Sequence, residues 1–220
     1  MKKRVYLVDD HPMVRERLAQ MINQEADLLV CGESAQAGPA LEHISAVLPD
    51  VVVLDISLER SSGLNLLKDL QVMKPELPVL VLSMHDESLY GERCLKAGAR
   101  GYVNKQEATT SILTAIRQVL QGQIHMSPAL AATVVRQYVH GRERKLGGAG
   151  VNLLTDRELE VFQLLGQGYG TRRIADELHL GIKTVESYRS RIKEKLGLED
   201  ASQLVHQAVK WVIERRQPER

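Results

Sequence analysis

Val51-Val-Val-Leu-Asp55, four apolar residues closed by one carboxylate, is the stretch on which the fold turns. Near the start of the chain Val5-Tyr-Leu-Val-Asp-Asp10 repeats the pattern. Three further short runs, Leu28–Cys31, Val79–Leu82 and Gly101–Val103, have a similar length of 3 to 5 residues. Longer amphipathic stretches such as Met13–Ile22, Leu64–Met73 and Ser111–Leu120 lie between them. Strands alternating with helices predict βαβ units and a parallel sheet. Strands that are apolar along their whole length suit a sheet covered by helices on both faces. The first 120 residues therefore read as five strands and five helices.

Beyond Leu120 the strand pattern stops. Residues 128–140 read as one helix, opened by Ser127-Pro128 with the proline at its first position. The glycines and charges of residues 141–150 read as a flexible linker, with an end-to-end span of about 20 Å. Residues 153–214 read as all helix. Thr155 and Glu158 form a capping box, in which each side chain satisfies an open amide, and Asp200 with Gln203 resembles a second. The expected division is a domain over 1–122, a linker helix and flexible linker over 123–152, and a helical domain over 153–216.

Composition excludes several classes. With 44% apolar and 26% charged residues among 220, the chain can build a core and is not of disordered type. The net charge of +1 conceals a split: residues 1–140 carry 14 basic and 16 acidic side chains, residues 141–220 carry 15 and 12. The mildly basic C-terminal part hints at nucleic acid. No apolar stretch approaches a membrane span, and the apolar run after Met1-Lys-Lys-Arg4 ends at Asp9, too early for a signal peptide. Two cysteines, Cys31 and Cys94, read as small apolar packing residues, and the seven histidines show no metal-ligand spacing. A cytoplasmic protein with no membrane partner is expected.

Asp9, Asp10 and Asp55 end their strands on one edge of such a sheet, the edge where open α/β sheets bind ligands. An acid after a strand is usually a helix cap, and Asp10, just before His11-Pro12, fits that role. Three together repel one another unless a cation sits among them, and oxygen ligands of high charge suit Mg²⁺. Ser83 ends the fourth strand and Lys105 follows the fifth, so a hydroxyl and an ammonium stand ready on the same edge for phosphoryl oxygens. That convergence outweighs the capping explanation.

Val8-Asp-Asp-His-Pro12, Leu54-Asp-Ile-Ser57 with Gly63, Leu82-Ser83 and Gly101-Tyr-Val-Asn-Lys105 resemble the receiver domain of two-component response regulators, over residues 4–120. The resemblance implies a flavodoxin-like, doubly wound sheet of five parallel strands in which Asp55 accepts a phosphoryl group from a sensor histidine kinase. It implies that Asp10, Asp55 and the backbone carbonyl of Ser57 bind Mg²⁺, with Asp9 acting mostly through water. Lys105 would pair with Asp55 or the phosphoryl group, Ser83 would move to bond it, and Tyr102 would swing inward behind it. Gln106 and Glu59 stand where the family commonly has proline. The first of those prolines often follows a cis bond, which before Gln106 would cost about 3 kcal/mol. Ser57 and His85 occupy positions that tune phosphoryl lifetime in the family.

In the helical part, Leu154–Phe162, Gly168–Leu178 and Lys183–Leu196 read as three helices, the last two joined by His179-Leu-Gly181. Two short helices joined by a glycine-bearing turn are a helix-turn-helix signature. At 100° per residue the third helix places Val185, Tyr188, Ile192 and Leu196 on one face, with Arg189 at its margin. Lys183, Glu186, Ser187 and Ser190 fall opposite, free to enter a major groove. Leu154-Thr155, Arg157-Glu158, Glu160-Val161, Gly168, Ile174-Ala175, Leu178, Lys183-Thr-Val185 and Lys195-Leu196 resemble the LuxR-type DNA-binding domain of the NarL/FixJ group, over residues 153–212. Thr171, Arg173 and Tyr188 depart from its common pattern. The resemblance implies an all-α, four-helix domain in which Glu186, Ser187 and Ser190 face bases, and Lys183, Thr184, Arg191 and Lys193 contact phosphates. Glu186 would accept from cytosine N4.

The expected function is a phosphorylation-controlled regulator that binds double-stranded DNA as a homodimer. An oxidoreductase on this kind of sheet would need a glycine-rich phosphate loop after the first strand, where Asp9 and Asp10 stand instead. An aspartyl phosphatase would want an acid at Ser57. The alternative is a constitutive DNA-binding regulator with a vestigial receiver, against which the intact acidic cluster argues.

Overall fold

A computed structural model describes residues 1–58, 62–140 and 150–216. Glu59 and residues 141–149 of the expected linker lie outside the described residues. The chain divides into two units, Met1–Val139 and His140–Arg220.

In the first unit strands and helices alternate: β1 (Lys3–Val8), α1 (Pro12–Asn23), β2 (Leu28–Ser34), α2 (Ala37–Val47), β3 (Val51–Leu54), α3 (Gly63–Met73), β4 (Val79–Ser83), α4 (Glu87–Lys96), β5 (Gly101–Asn104), α5 (Ala108–Leu120) and α6 (Pro128–His140). The strands form one parallel sheet in the order β2-β1-β3-β4-β5. Side chains alternate across a strand, so Val5, Leu7, Val51, Val53, Leu80, Leu82 and Val103 pack with Leu18 and Ile22 of α1 and Ile112, Ile116 and Val119 of α5. Tyr6, Val8, Val52, Leu54 and Val81 alternate to the other face and are buried too. Ile44 of α2, Leu67 of α3 and Cys94 of α4 are buried as well.

Of the strands that outrun their sequence signal, β2 does so most. β2 runs three residues past Cys31, with a register shift where Tyr6 pairs with Gly32. As an edge strand it does not need apolar residues throughout. Gly32 lets the Tyr6 ring pass, and the Tyr6 hydroxyl lies 2.7 Å from Ser34 Oγ. The segment before α6 also belongs to this unit. His125 bridges to Gly101 in parallel, the Ser127 amide donates to Glu87 Oε1 at 3.0 Å, and Leu130 is buried against Gly91 of α4. Ser127 Oγ accepts from the Leu130 amide at 3.1 Å, capping the helix that Pro128 opens.

The second unit begins with a 3-10 turn at Val151–Leu153, followed by α7 (Asp156–Gly166), α8 (Thr171–Glu177), α9 (Ile182–Leu196) and α10 (Ala201–Arg216). Phe162 and Trp211 meet edge to face at 5.5 Å in a core with Leu159, Leu165, Ile174, Val185, Ile192 and Leu204. The capping box forms: Thr155 Oγ1 accepts from the Glu158 amide at 3.4 Å, and Glu158 Oε2 from the Thr155 amide at 2.7 Å. At Asp200 only half the expected box appears. Its Oδ1 takes the Gln203 amide at 2.8 Å, while Gln203 Oε1 takes the amide of Glu199. Among the described residues, no helix is long and apolar enough to cross a membrane.

Glu158 does more than cap. Lys195 Nζ lies 2.6 Å from its Oε2, joining α9 to α7. Burial works to raise the Glu158 carboxyl, but the bonds from Lys195 and from Thr155 outweigh it and hold it below its ordinary value. A depressed folded pKa contributes stability that is present above the unfolded value, about 4.3 for glutamate, and lost as pH falls through the folded one. Glu158→Gln should therefore destabilise this unit by about 1–2 kcal/mol at pH 7, Lys195 being partly solvated. The difference should shrink as pH falls through the lowered Glu158 value. Urea melts followed by fluorescence of Trp211, the one tryptophan in the chain, will check this.

Candidate functional site

The parallel register brings the carboxylates level. Val8 pairs with Leu54, and the Asp55 amide donates to the Val8 carbonyl at 2.8 Å, so Asp9 and Asp55 leave neighbouring strands side by side. Ser83 pairs with Asn104, and the Lys105 amide donates to the Ser83 carbonyl at 2.8 Å. The Lys105 ammonium reaches back across the edge. Its Nζ lies 2.6 Å from Asp55 Oδ2 and 2.7 Å from Asp9 Oδ2. Asp55 is 1% exposed and Asp9 is 3% exposed, so this is a buried three-group cluster.

Burial pushes the Asp55 carboxyl above its ordinary value, and the charge of Asp9 adds to the effect, against Lys105 and the Ser57 amide. Burial works against the Lys105 charge, yet Asp55 and Asp9 prevail and hold its pKa above the ordinary value. One ammonium faces two buried carboxylates, with the half-buried Asp10 beside them. Asp9, Asp10, His11 and Asp55 each offer a ligand atom, all within 4.8 Å of one another. Three carboxylates are hard oxygen donors in negative excess, so the residues present fit a divalent cation of the Mg²⁺ type.

The structure brings together Asp9, Asp10, Asp55 and Lys105 and places the other expected residues around them. Ser57 turns its amide to Asp55 Oδ1 at 2.9 Å, and its hydroxyl oxygen is buried without a hydrogen-bond partner among the described residues. Asp9, expected to act mostly through water, contacts Lys105 directly. Ser83 is fully buried, its Oγ accepting from the His85 amide at 3.1 Å. Tyr102 already lies inward, its hydroxyl donating to the His85 carbonyl at 2.8 Å. Burial raises the Tyr102 phenol far above its usual range, with the Ser83 hydroxyl working the other way. The bond before Gln106 is trans, and the Gln106 amide donates to Asn104 Oδ1 at 2.9 Å.

His11 was not legible as a member of the cluster. Its Nδ1 lies 2.7 Å from Asp10 Oδ1 and 3.3 Å from Asp9 Oδ1. Spacing between histidines carries no trace of it; adjacency to Asp9-Asp10 was the available signal. His85, singled out in the sequence together with Ser57, stacks its ring on Tyr90 with centroids 4.4 Å apart.

On the second unit, α9 divides as its periodicity predicts. Val185 and Ile192 are buried, and Tyr188, Arg189 and Leu196 half-buried. Lys183, Thr184, Glu186, Ser187, Ser190 and Arg191 are exposed, whereas Lys193 is half-buried. Lys183, Thr184, Ser187, Tyr188 and Arg191 line a shallow depression, which adds Tyr188 to the expected set. Gly181 precedes the helix without a side-chain cap, and its carbonyl accepts from the Thr184 amide at 2.9 Å.

Comparisons with known proteins agree with this two-part design. Residues 5–117 match the response regulator receiver domain, and residues 152–208 match the bacterial regulatory proteins of the luxR family. The transcriptional activator protein ExaE of Pseudomonas putida is 36% identical over 207 residues, covering 93% of this chain and 95% of that one. The transcriptional regulatory protein DegU of Brevibacillus brevis is 30% identical over 225 residues, covering 96% and 95%. Among solved structures, RcsB of Salmonella enterica serovar Typhimurium, bound to promoter rprA with the phosphomimetic BeF3⁻, superposes with TM-score 0.59. It has 25% identity, covering 95% of this chain and 99% of that one. The chain belongs to the response regulator family, with a receiver domain and a LuxR-type DNA-binding domain. It is a transcription regulator of two-component type and not an enzyme.

Gly63 supplies the test of this packing. A Cβ there would stand 2.1 Å from the Asp55 carbonyl oxygen and 2.6 Å from Ile56 Cα, both backbone atoms with nowhere to go. Gly63→Ala should cost about 2–3 kcal/mol through overpacking. Gly38→Ala, with nothing within 4 Å, should be near neutral. Denaturant midpoints of the two variants decide the matter.

Proposed function

We propose that Asp55 accepts a phosphoryl group from a sensor histidine kinase, and that this controls dimerisation and binding of double-stranded DNA by α9. The observation that carries the proposal is the buried Lys105 ammonium shared between Asp55 and Asp9 beside Asp10. A purely structural acid would not need a second acid and a lysine buried with it.

The Asp55 carboxylate attacks phosphorus. Its new oxygen–phosphorus bond forms as the phosphorus–nitrogen bond of the kinase phosphohistidine breaks, and the leaving imidazole nitrogen keeps the electron pair. Asp10, Asp55 and the Ser57 carbonyl would hold Mg²⁺, with Asp9 at its edge; when bound it neutralises charge on the phosphoryl oxygens. Lys105, already 2.6 Å from Asp55 Oδ2, needs only a small shift to reach a phosphoryl oxygen. Asp9 keeps that ammonium on the correct side.

The switch runs through the end of β4. Drawing Ser83 Oγ toward a phosphoryl group takes it from the His85 amide. His85 also accepts from Tyr102 and stacks on Tyr90 of α4, so its loop and α4 move together. Leu130 and Ser127 of the α6 segment contact Gly91 and Glu87 on the same helix. A local charge event thereby biases a larger element. On DNA, Lys183, Thr184, Arg191 and Lys193 contact phosphates, and Glu186, Ser187 and Ser190 face bases. Two copies occupy half-sites about 34 Å apart.

Intact-protein mass after incubation with acetyl phosphate and Mg²⁺ tests the first step, and binding to promoter DNA before and after tests the second. One phosphoryl group on the wild type, none on Asp55→Asn, and donor-stimulated DNA binding only in the wild type are the expected results. DNA binding that is equal with and without donor would favour the constitutive regulator instead.

A further inference from the structure

Over its first three turns, from Lys183 to Arg191, the exposed face of α9 carries cations and hydroxyls except at one point. Glu186 stands among Lys183, Thr184, Ser187, Ser190 and Arg191. A mobile carboxylate there would be repelled by phosphates and would lose side-chain freedom on docking. This one is already held. Thr171, the first residue of α8, donates its hydroxyl to Glu186 Oε1 at 3.1 Å. The same hydroxyl accepts from Arg189 Nη1, which lies 3.6 Å from that carboxylate oxygen. Arg189 is mostly covered, at 20% side-chain exposure, while Glu186 is 59% exposed. The clamp occupies Oε1. Among the described residues Oε2 takes no hydrogen bond.

The chemistry of the open oxygen selects its partner. A carboxylate only accepts hydrogen bonds. Guanine presents the acceptors N7 and O6 in the major groove and thymine presents O4, so both repel it. Adenine offers its N6 amino group beside the acceptor N7, whereas cytosine offers its N4 amino group alone. The Arg189 guanidinium offsets part of the charge that a polyanion would otherwise reject.

We infer that Thr171 and Arg189 are positioning residues that fix Glu186 as the reader of one cytosine amino group, making a C·G pair a specificity determinant of the half-site. This rests on the DNA-binding function proposed above. Thr171 acts on sequence preference through Glu186 and makes no contribution to phosphate contacts.

The experiment is selection of binding sequences from random duplex DNA by the full chain with acetyl phosphate and Mg²⁺. Wild type, Thr171→Val, Thr171→Ser and Glu186→Ala are compared, and each is then titrated on the selected duplex and on one with the C·G pair replaced. The wild type should prefer C·G by roughly tenfold at one position. Glu186→Ala and Thr171→Val should lose most of that preference, Thr171→Ser should keep it, and the salt dependence should be the same for all four. Undiminished preference in Glu186→Ala or Thr171→Val overturns the inference. Loss of preference in Thr171→Ser as well, with reduced helix content, assigns Thr171 a general structural role and overturns it too. A wild type that enriches no sequence overturns the DNA-binding function beneath it.

Discussion

The first unit depends on one electrostatic constraint: two buried carboxylates and one ammonium at the centre of a sheet edge. Removing either kind of partner from a buried pair typically costs about 3–5 kcal/mol, because the remaining charge stays uncompensated. The cluster tolerates its negative excess because Lys105 touches both Asp9 and Asp55, and the Ser57 amide satisfies the remaining Asp55 oxygen. Everything that positions it is backbone. The registers of β1 with β3 and of β4 with β5 bring the two acids and the lysine to one level, and Gly63 lets α3 begin against the Asp55 carbonyl.

The same economy appears around His85. Its amide serves Ser83, its carbonyl serves Tyr102, and its ring lies on Tyr90. One residue thus touches the end of β4, the middle of β5 and the body of α4. α4 in turn bears the start of α6 through Gly91 and Glu87. A residue joined to three elements is suited to passing on a small displacement, since packed elements shift between discrete arrangements rather than deforming continuously.

In the second unit a buried carboxylate again organises the fold, on a smaller scale. Glu158 closes the cap of α7 and takes the Lys195 ammonium of α9, so capping and helix packing share one side chain. That leaves the N-terminal half of α9 with no structural duty on its outer face, except where Thr171 and Arg189 hold Glu186. Thr171 at the start of α8, one of the departures from the common pattern, and the half-buried Arg189 on α9 meet at one carboxylate.

Short apolar runs determined the five strands, and helical periodicity the stretches between them, the break at Leu120 and the inward face of α9, because each kind of element buries apolar residues in its own pattern. Acids at the ends of β1 and β3 also made the functional edge legible, since parallel strands must finish together. The sequence could not show contacts made by residues distant along the chain. The sharing of Lys105 between two acids, the inward Tyr102, the place of His85 and the length of β2 follow from registers and ring packing across strands. His11 was hidden because its partners are its own neighbours, where spacing rules do not look. The Thr171–Glu186–Arg189 clamp joins two helices whose separate patterns carry no sign of each other. Only tertiary structure decides which polar groups meet, because hydrogen bonds between elements depend on distances that periodicity leaves free.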